Sequence, residues 1–178
     1  ACFSLYIAYL DMFHPPDIRE HIRATGAKLP NLLDCAEPRK KKPDIPVVWK
    51  RDFFEMTKVW QGQFDIVIGN PPWVGRGQNQ IAHEFMEHAP SLAVPGGRIC
   101  LILPAKVLLN RTDTFQARWL RSITLDRLIQ LADYCYVLFE NARCPSCIAL
   151  LTKAVPDIAT HEVEYVTPKV ARLDVRDG

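Results

Sequence analysis

The sequence predicts an α/β domain built on an open, largely parallel sheet, and three observations carry that prediction. Short apolar runs at Phe64–Gly69, Arg98–Leu103 and Cys147–Leu151 are continuous rather than alternating, as in strands buried on both faces. Between them lie segments of helical periodicity, with Ile81, Phe85, Ala89 and Leu92 on one face and Phe115 and Trp119 on another. Strands alternating with helices is the order expected of a parallel sheet with helical crossovers. The chain of 178 residues is long enough for one domain with a sizeable core.

Taken in order, Ala1–Met12 is apolar on most sides and suits a buried helix. Phe13–Pro46 carries Pro15, Pro16, Pro30, Pro38, Pro43 and Pro46 and the basic run Arg39–Lys42. Proline fixes φ and removes a backbone donor, so this stretch reads as a long loop with at most one short helix. Val47–Lys50 is a short strand ending at Arg51-Asp52-Phe53-Phe54. The strand Phe64–Gly69 is stopped abruptly by Asn70-Pro71-Pro72-Trp73, and a polar, glycine-containing loop follows from Val74 to Gln80. The helix that comes next is ended by Pro95-Gly96-Gly97. Thr112 can cap the helix bearing Phe115 and Trp119, and Arg127–Leu131 supplies a further strand before Cys147–Leu151. There is no internal repeat. The chain begins without Met and reads as helix from the start, which predicts a fragment of a longer protein.

Hydrophobic residues make up 48% and charged residues 24%, an ordinary soluble composition, and a net charge of +2 permits nucleic acid without arguing for it. No apolar run reaches the roughly 18 residues of a membrane span, and no signal peptide is visible, so a cytoplasmic protein is expected. Cys2, Cys100 and Cys135 sit in apolar stretches and read as small buried hydrophobes of a reducing compartment. Cys144-Pro145-Ser146-Cys147 has the spacing of a metal or redox pair, but no second pair accompanies it, which argues against both roles. His83 and His88 do not share a helix face well and read as surface residues. Arg39–Lys42 and Arg76 could contact phosphates, although a solvated loop is the plainer reading of the run.

The sharpest chemical feature is Asn70-Pro71-Pro72-Trp73 at the end of a buried strand. Open α/β sheets bind ligands beyond the carboxyl ends of their strands. An amide or exocyclic –NH2 is a poor nucleophile because its lone pair is delocalised, and it carries two N–H donors. Two fixed acceptors, the Asn70 side-chain oxygen and the Pro71 carbonyl, would take both hydrogens and free the lone pair. The proline rings stiffen the turn and so preorganise the acceptors. Trp73 offers a flat face for a planar substrate. The plainer alternative is a strand-ending Pro-Pro turn with a core Trp.

Further segments match a known family in order. Ser4–Leu10, Arg51-Asp52-Phe53-Phe54, Phe64–Trp73, Gly96-Gly97-Arg98 leading to Ile102-Leu103-Pro104, and Val137-Leu138-Phe139 through Cys147–Leu150 together resemble the amino-methyltransferases with an Asn-Pro-Pro-aromatic motif. The resemblance is strongest to the adenine-N6 DNA methyltransferases of restriction-modification systems, and it spans nearly the whole chain. It implies a Rossmann-like fold, S-adenosylmethionine as cofactor and double-stranded DNA as partner, with methyl transfer to N6 of a flipped adenine.

Residue by residue, the resemblance casts Asn70, Pro71, Pro72 and Trp73 as the catalytic segment. Asp52 and Phe53, with Asn70, fall on the cofactor side: Asp52 accepts from the cofactor's adenine amine, and Phe53 lies against its ring. Phe139 packs on the target base opposite Trp73. Each has a plainer alternative: a strand-end Asp52 capping the next turn, and core Phe53 and Phe139. The family's glycine-rich first motif and the acidic residue of its second are missing, and no target-recognition domain is visible. Residues 1–178 therefore read as a partial catalytic domain, truncated on its N-terminal side, of a parent that carries the recognition domain or a nuclease. Two other readings stand: a glutamine-N5 or guanine-N2 methyltransferase acting on protein or RNA, and a non-catalytic methyltransferase-like binding module.

Overall fold

The computed structural model describes residues 15–26, 33–35, 48–73, 81–106, 114–135 and 145–169. Two compact units meet in sequence at Met56 and Thr57. Among the described residues no helix is long and apolar enough to cross a membrane.

In the first unit, helix α1 spans Pro15–Thr25, strand β1 Leu33–Cys35 and strand β2 Val48–Lys50, and helix α2 (Phe53–Val59) starts there. β1 and β2 pair in parallel, Leu33 opposite Val48. α1 is the one short helix that the stretch Phe13–Pro46 allowed, whereas β1 lies where only loop was expected. Pro15 and Pro16 occupy the first positions of α1, where proline's missing N–H costs nothing and its fixed φ suits the helix. The N-terminal segment Ala1–Met12 and the basic run Arg39–Lys42 lie outside the described residues.

The second unit is built on a sheet of five strands in the order β3-β4-β6-β5-β7. β3 is Phe64–Gly69, β4 Ala93–Pro104, β5 Thr124–Gln130, β6 Ser146–Thr152 and β7 Glu164–Val166. β3 pairs with β4 and β5 with β7 in parallel, whereas β6 runs antiparallel to both of its neighbours. The sheet is therefore mixed rather than largely parallel. Helix α3 (Ile81–Leu92) follows β3 and packs on β3 and β4, and helix α4 (Thr114–Ser122) follows β4 and packs on β5.

Alternation along the strands gives the sheet two unlike faces. One buries Ile99, Leu101, Leu103, Leu125, Leu128, Cys147, Ala149 and Leu151, together with Met86 of α3 and Trp119 of α4. Full burial of each large aliphatic side chain contributes about 1.5–3 kcal/mol. The other face holds an open groove of about 350 Å3, lined among others by Ile66, Ile68, Cys100 and Leu150. Ile66 and Ile68 are 64% and 77% exposed there. At the amino-terminal side of β4 this face is polar: Arg98 reaches Asp126 and the Thr152 hydroxyl, which in turn donates to Asp126 at 2.6 Å.

The segment Pro95-Gly96-Gly97 does not end α3 but lies within β4, at a break in the register with β3. Gly96 takes φ +77°, a left-handed conformation that favours glycine. At Gly97 a Cβ would come within 2.9 Å of the Val94 carbonyl and 3.2 Å of the Asp65 carbonyl, so the two strands approach only over a bare α-carbon.

The buried face of α3 is Ala82, His83, Met86, Ala89 and Leu92. It is rotated from the expected Ile81–Phe85 stripe, and it buries a histidine read from sequence as a surface residue. The His83 ring stacks on Phe115 of α4 with centroids 4.5 Å apart, and Arg118 covers the same ring while pairing with Glu87. An aromatic partner at stacking distance favours burial of the ring, a tertiary effect that spacing along one helix cannot reveal.

Pro90 lies inside α3 and has no N–H to bond the Met86 carbonyl four residues earlier. The Trp119 indole supplies the missing donor: its Nε1–H donates to Met86 O at 2.9 Å, in a buried position. Trp119→Phe should therefore cost about 1–3 kcal/mol, the cost of an orphaned buried carbonyl. In a Pro90→Ala background, which restores a main-chain donor, the same change should cost less. Equal losses in the two backgrounds, measured by denaturant unfolding, would contradict this pairing.

Candidate active site at the carboxyl edge of the sheet

β3 holds its register with β4 up to Gly69 opposite Leu101, and there the ladder stops. The contact is close: a Cβ on Gly69 would lie 3.2 Å from Leu101 Cδ2. Next come two prolines, which cannot donate to a ladder, so the chain leaves the sheet at its carboxyl edge. Asn70 is exposed, Pro71 buried, Pro72 exposed and Trp73 half-buried. The Asn70 amide is engaged by no other side chain or backbone group among the described residues. The buried proline fixes the turn while Asn70 keeps its acceptor oxygen and its donors open, and the carbonyls of this turn lie past the last ladder pair.

Neighbouring strands contribute to the same edge. β4 ends at Pro104, and Ala105, also buried, donates its N–H to Pro145 O at 2.8 Å. Lys106 follows, exposed to solvent. β5 ends at Gln130, and Leu131 donates its N–H to Ser146 O at 2.9 Å before the 3-10 turn Ala132–Tyr134. Ser146 is fully buried there.

In the first unit, Asp52 Oδ1 accepts from the Glu55 N–H at 3.0 Å, and the Asp52 carbonyl accepts from the Met56 N–H. Asp52 is therefore the N-terminal cap of α2, as the plainer alternative foresaw, with one carboxylate oxygen committed to the helix. The residue is exposed, and among the described residues nothing binds its other oxygen. Phe53 is half-buried and meets Phe54 edge to face with centroids 5.4 Å apart. Phe139, Arg76, the loop Val74–Gln80, Thr112 and Cys144 lie outside the described residues.

Cys147 is buried in β6, and burial pushes its thiol up to about 12. Cys100 is half-buried, and burial raises its thiol as well. Thiolate is the reactive form, so neither side chain is set up as a nucleophile. Among the described residues no group of three His, Cys, Asp or Glu side chains stands together. Lys106 was not read from the sequence, although a cation directly after the closing proline of a strand was a usable signal.

Residues 1–136 match the family of the Eco57I restriction-modification methylase. The chain belongs to this family. Solved structures agree on the fold. A chain from a structure of type I R-M system assembly and conformational transition superposes with a TM-score of 0.56 at 19% identity, covering 71% of this chain and 28% of that one. The M protein of the type I restriction enzyme EcoKI gives a TM-score of 0.50 at 16% identity, covering 71% of this chain and 30% of its own. This protein thus spans less than a third of either. No curated protein sequence matches it significantly.

In the native protein Cys147 should resist iodoacetamide at pH 8 to 9 and react only after denaturation. Peptide mass spectrometry of labelled protein checks this, and rapid native labelling of Cys147 would contradict its place in the core.

Proposed function

We propose that this member of a restriction-modification methylase family transfers a methyl group to an amino nitrogen of DNA, N6 of adenine, with S-adenosylmethionine as cofactor. The observation that carries the reading is Asn70: an exposed amide that no described residue engages, on a proline-stiffened turn at the carboxyl edge of the sheet. That placement suits a group that must meet a planar amine from solvent and hold it still.

The residues present fit the cofactor. The second carboxylate oxygen of Asp52, not used by the Glu55 N–H, is a suitable acceptor for the cofactor's adenine amine, and the half-exposed Phe53 ring for its base. When bound, S-adenosylmethionine supplies an electrophilic methyl group on a positively charged sulfur. The work of the chain's own residues is to make the amine a nucleophile. Asn70 Oδ1 and the Pro71 carbonyl each accept one amine N–H, which draws the nitrogen toward tetrahedral geometry and releases its lone pair. The same acceptors stay hydrogen-bonded to the amine as the new N–C bond forms, and the surplus proton passes to solvent. Trp73 stacks on the base, worth about 1–3 kcal/mol, and this offsets part of the few kcal/mol needed to flip it from the duplex. Phe139 serves the opposite face of the base.

In the full-length protein, Asn70→Ala should lower DNA methylation by about 10²–10³-fold, the usual cost of removing one preorganised polar contact to a transition state. Its cofactor affinity, read by calorimetry, should stay within about twofold of wild type. Undiminished turnover would sink the mechanism. Label appearing in RNA or protein but not in DNA would reassign the substrate to the guanine-N2 or glutamine-N5 class.

A further inference from the structure

We propose that Lys106 contacts a backbone phosphate of the DNA strand that carries the target base, next to the nucleotide held at Asn70. The inference rests on the DNA reading above.

The sheet brings the two residues to one edge. β3 and β4 are neighbours and run in the same direction, so Asn70-Pro71-Pro72-Trp73 and Pro104-Ala105-Lys106 leave the sheet side by side. Continuing the register past Gly69 and Leu101 sets Asn70 level with Ile102, four residues before Lys106. With strands about 4.8 Å apart and a rise of about 3.3 Å per residue, reduced by the turn at Ala105, the two α-carbons are separated by on the order of 10 Å. That is about the length of one nucleotide from an exocyclic amine, across the sugar, to its phosphates.

The backbone at this point is anchored. Ala105 is buried and bonded to the Pro145 carbonyl, so Lys106 projects from a fixed base into solvent. The other basic side chains on these strands and at their ends are engaged: Arg98 with Asp126, Arg127 with Glu164, Lys153 with the Ser91 and Ala93 carbonyls, and Lys169 with Asp133. Lys106 has no carboxylate or carbonyl partner among the described residues. Asp133, the described carboxylate at the same edge, sits on the turn after β5 and is held by Lys169 at 3.3 Å. An exposed ammonium on a fixed stem, paired with no carboxylate among the described residues, favours a phosphate oxygen over any neutral group. Such a contact positions a strand and contributes affinity that does not depend on sequence.

The test uses the full-length protein and a duplex spanning a site that it methylates. Lys106→Ala should raise KM for DNA about five- to tenfold while kcat and cofactor affinity hold. It should also lower the slope of log affinity against log salt by about one. Lys106→Arg should keep the wild-type slope. One uncharged methylphosphonate at a phosphate flanking the target nucleotide should weaken wild-type binding by the same factor and leave Lys106→Ala unaffected. An unchanged KM and slope in Lys106→Ala, or equal weakening of both proteins by every flanking methylphosphonate, would overturn the assignment. Absence of DNA methylation by the wild-type protein would instead defeat the substrate reading, and this inference with it.

Discussion

The candidate site depends on where one ladder stops. β3 and β4 pair in parallel as far as Gly69 and Leu101, and the next residues that could extend the pairing include two prolines without N–H groups. The same backbone chemistry that ends the strand exposes Asn70 and fixes it, because Pro71 is buried and each proline holds its own φ. A more flexible turn could present the same side chain, but it would pay conformational entropy each time an amine was held between two acceptors. Catalysis by preorganised polar groups requires that this ordering be complete before the substrate arrives.

Behind that edge the second unit packs one face of its sheet under α3 and α4. The two helices are joined by complementary irregularities. Pro90 removes a donor from α3, and the Trp119 indole of α4 returns one to the same carbonyl. His83 on Phe115, with Arg118 above that ring and bound to Glu87, adds a second tie between them.

Much of this was legible in the sequence because the decisive signals are local. Continuous apolar runs located β3, β4, β5 and β6 within a few residues, and the tetrapeptide announced its own position at a strand end. What sequence missed depended on partners distant along the chain. An apolar run carries no direction, so the antiparallel course of β6 was invisible. β7 has only three residues, too few for any periodicity. The proline-rich stretch around α1 allowed one short helix but hid β1, whose three residues carry no periodicity. The Pro-Gly-Gly segment has the chemistry of a helix stop, yet α3 already ends at Leu92, and the glycines instead allow β4 to approach β3. His83 is buried because of Phe115, which no helical wheel drawn on α3 alone includes. Asp52 showed the reverse: a capping role at the strand end was legible locally, although the element it caps, a helix, was not.

The most direct test of the central claim is the identity of the methylated atom. Unmethylated DNA incubated with the full-length protein and isotopically labelled S-adenosylmethionine would be digested to nucleosides and resolved by mass spectrometry. The account predicts labelled N6-methyladenine, abolished by Asn70→Ala. Label on a carbon atom of a base, on a ring nitrogen, or undiminished in the Asn70→Ala protein would contradict the assignment of this edge as an amine-methylating site.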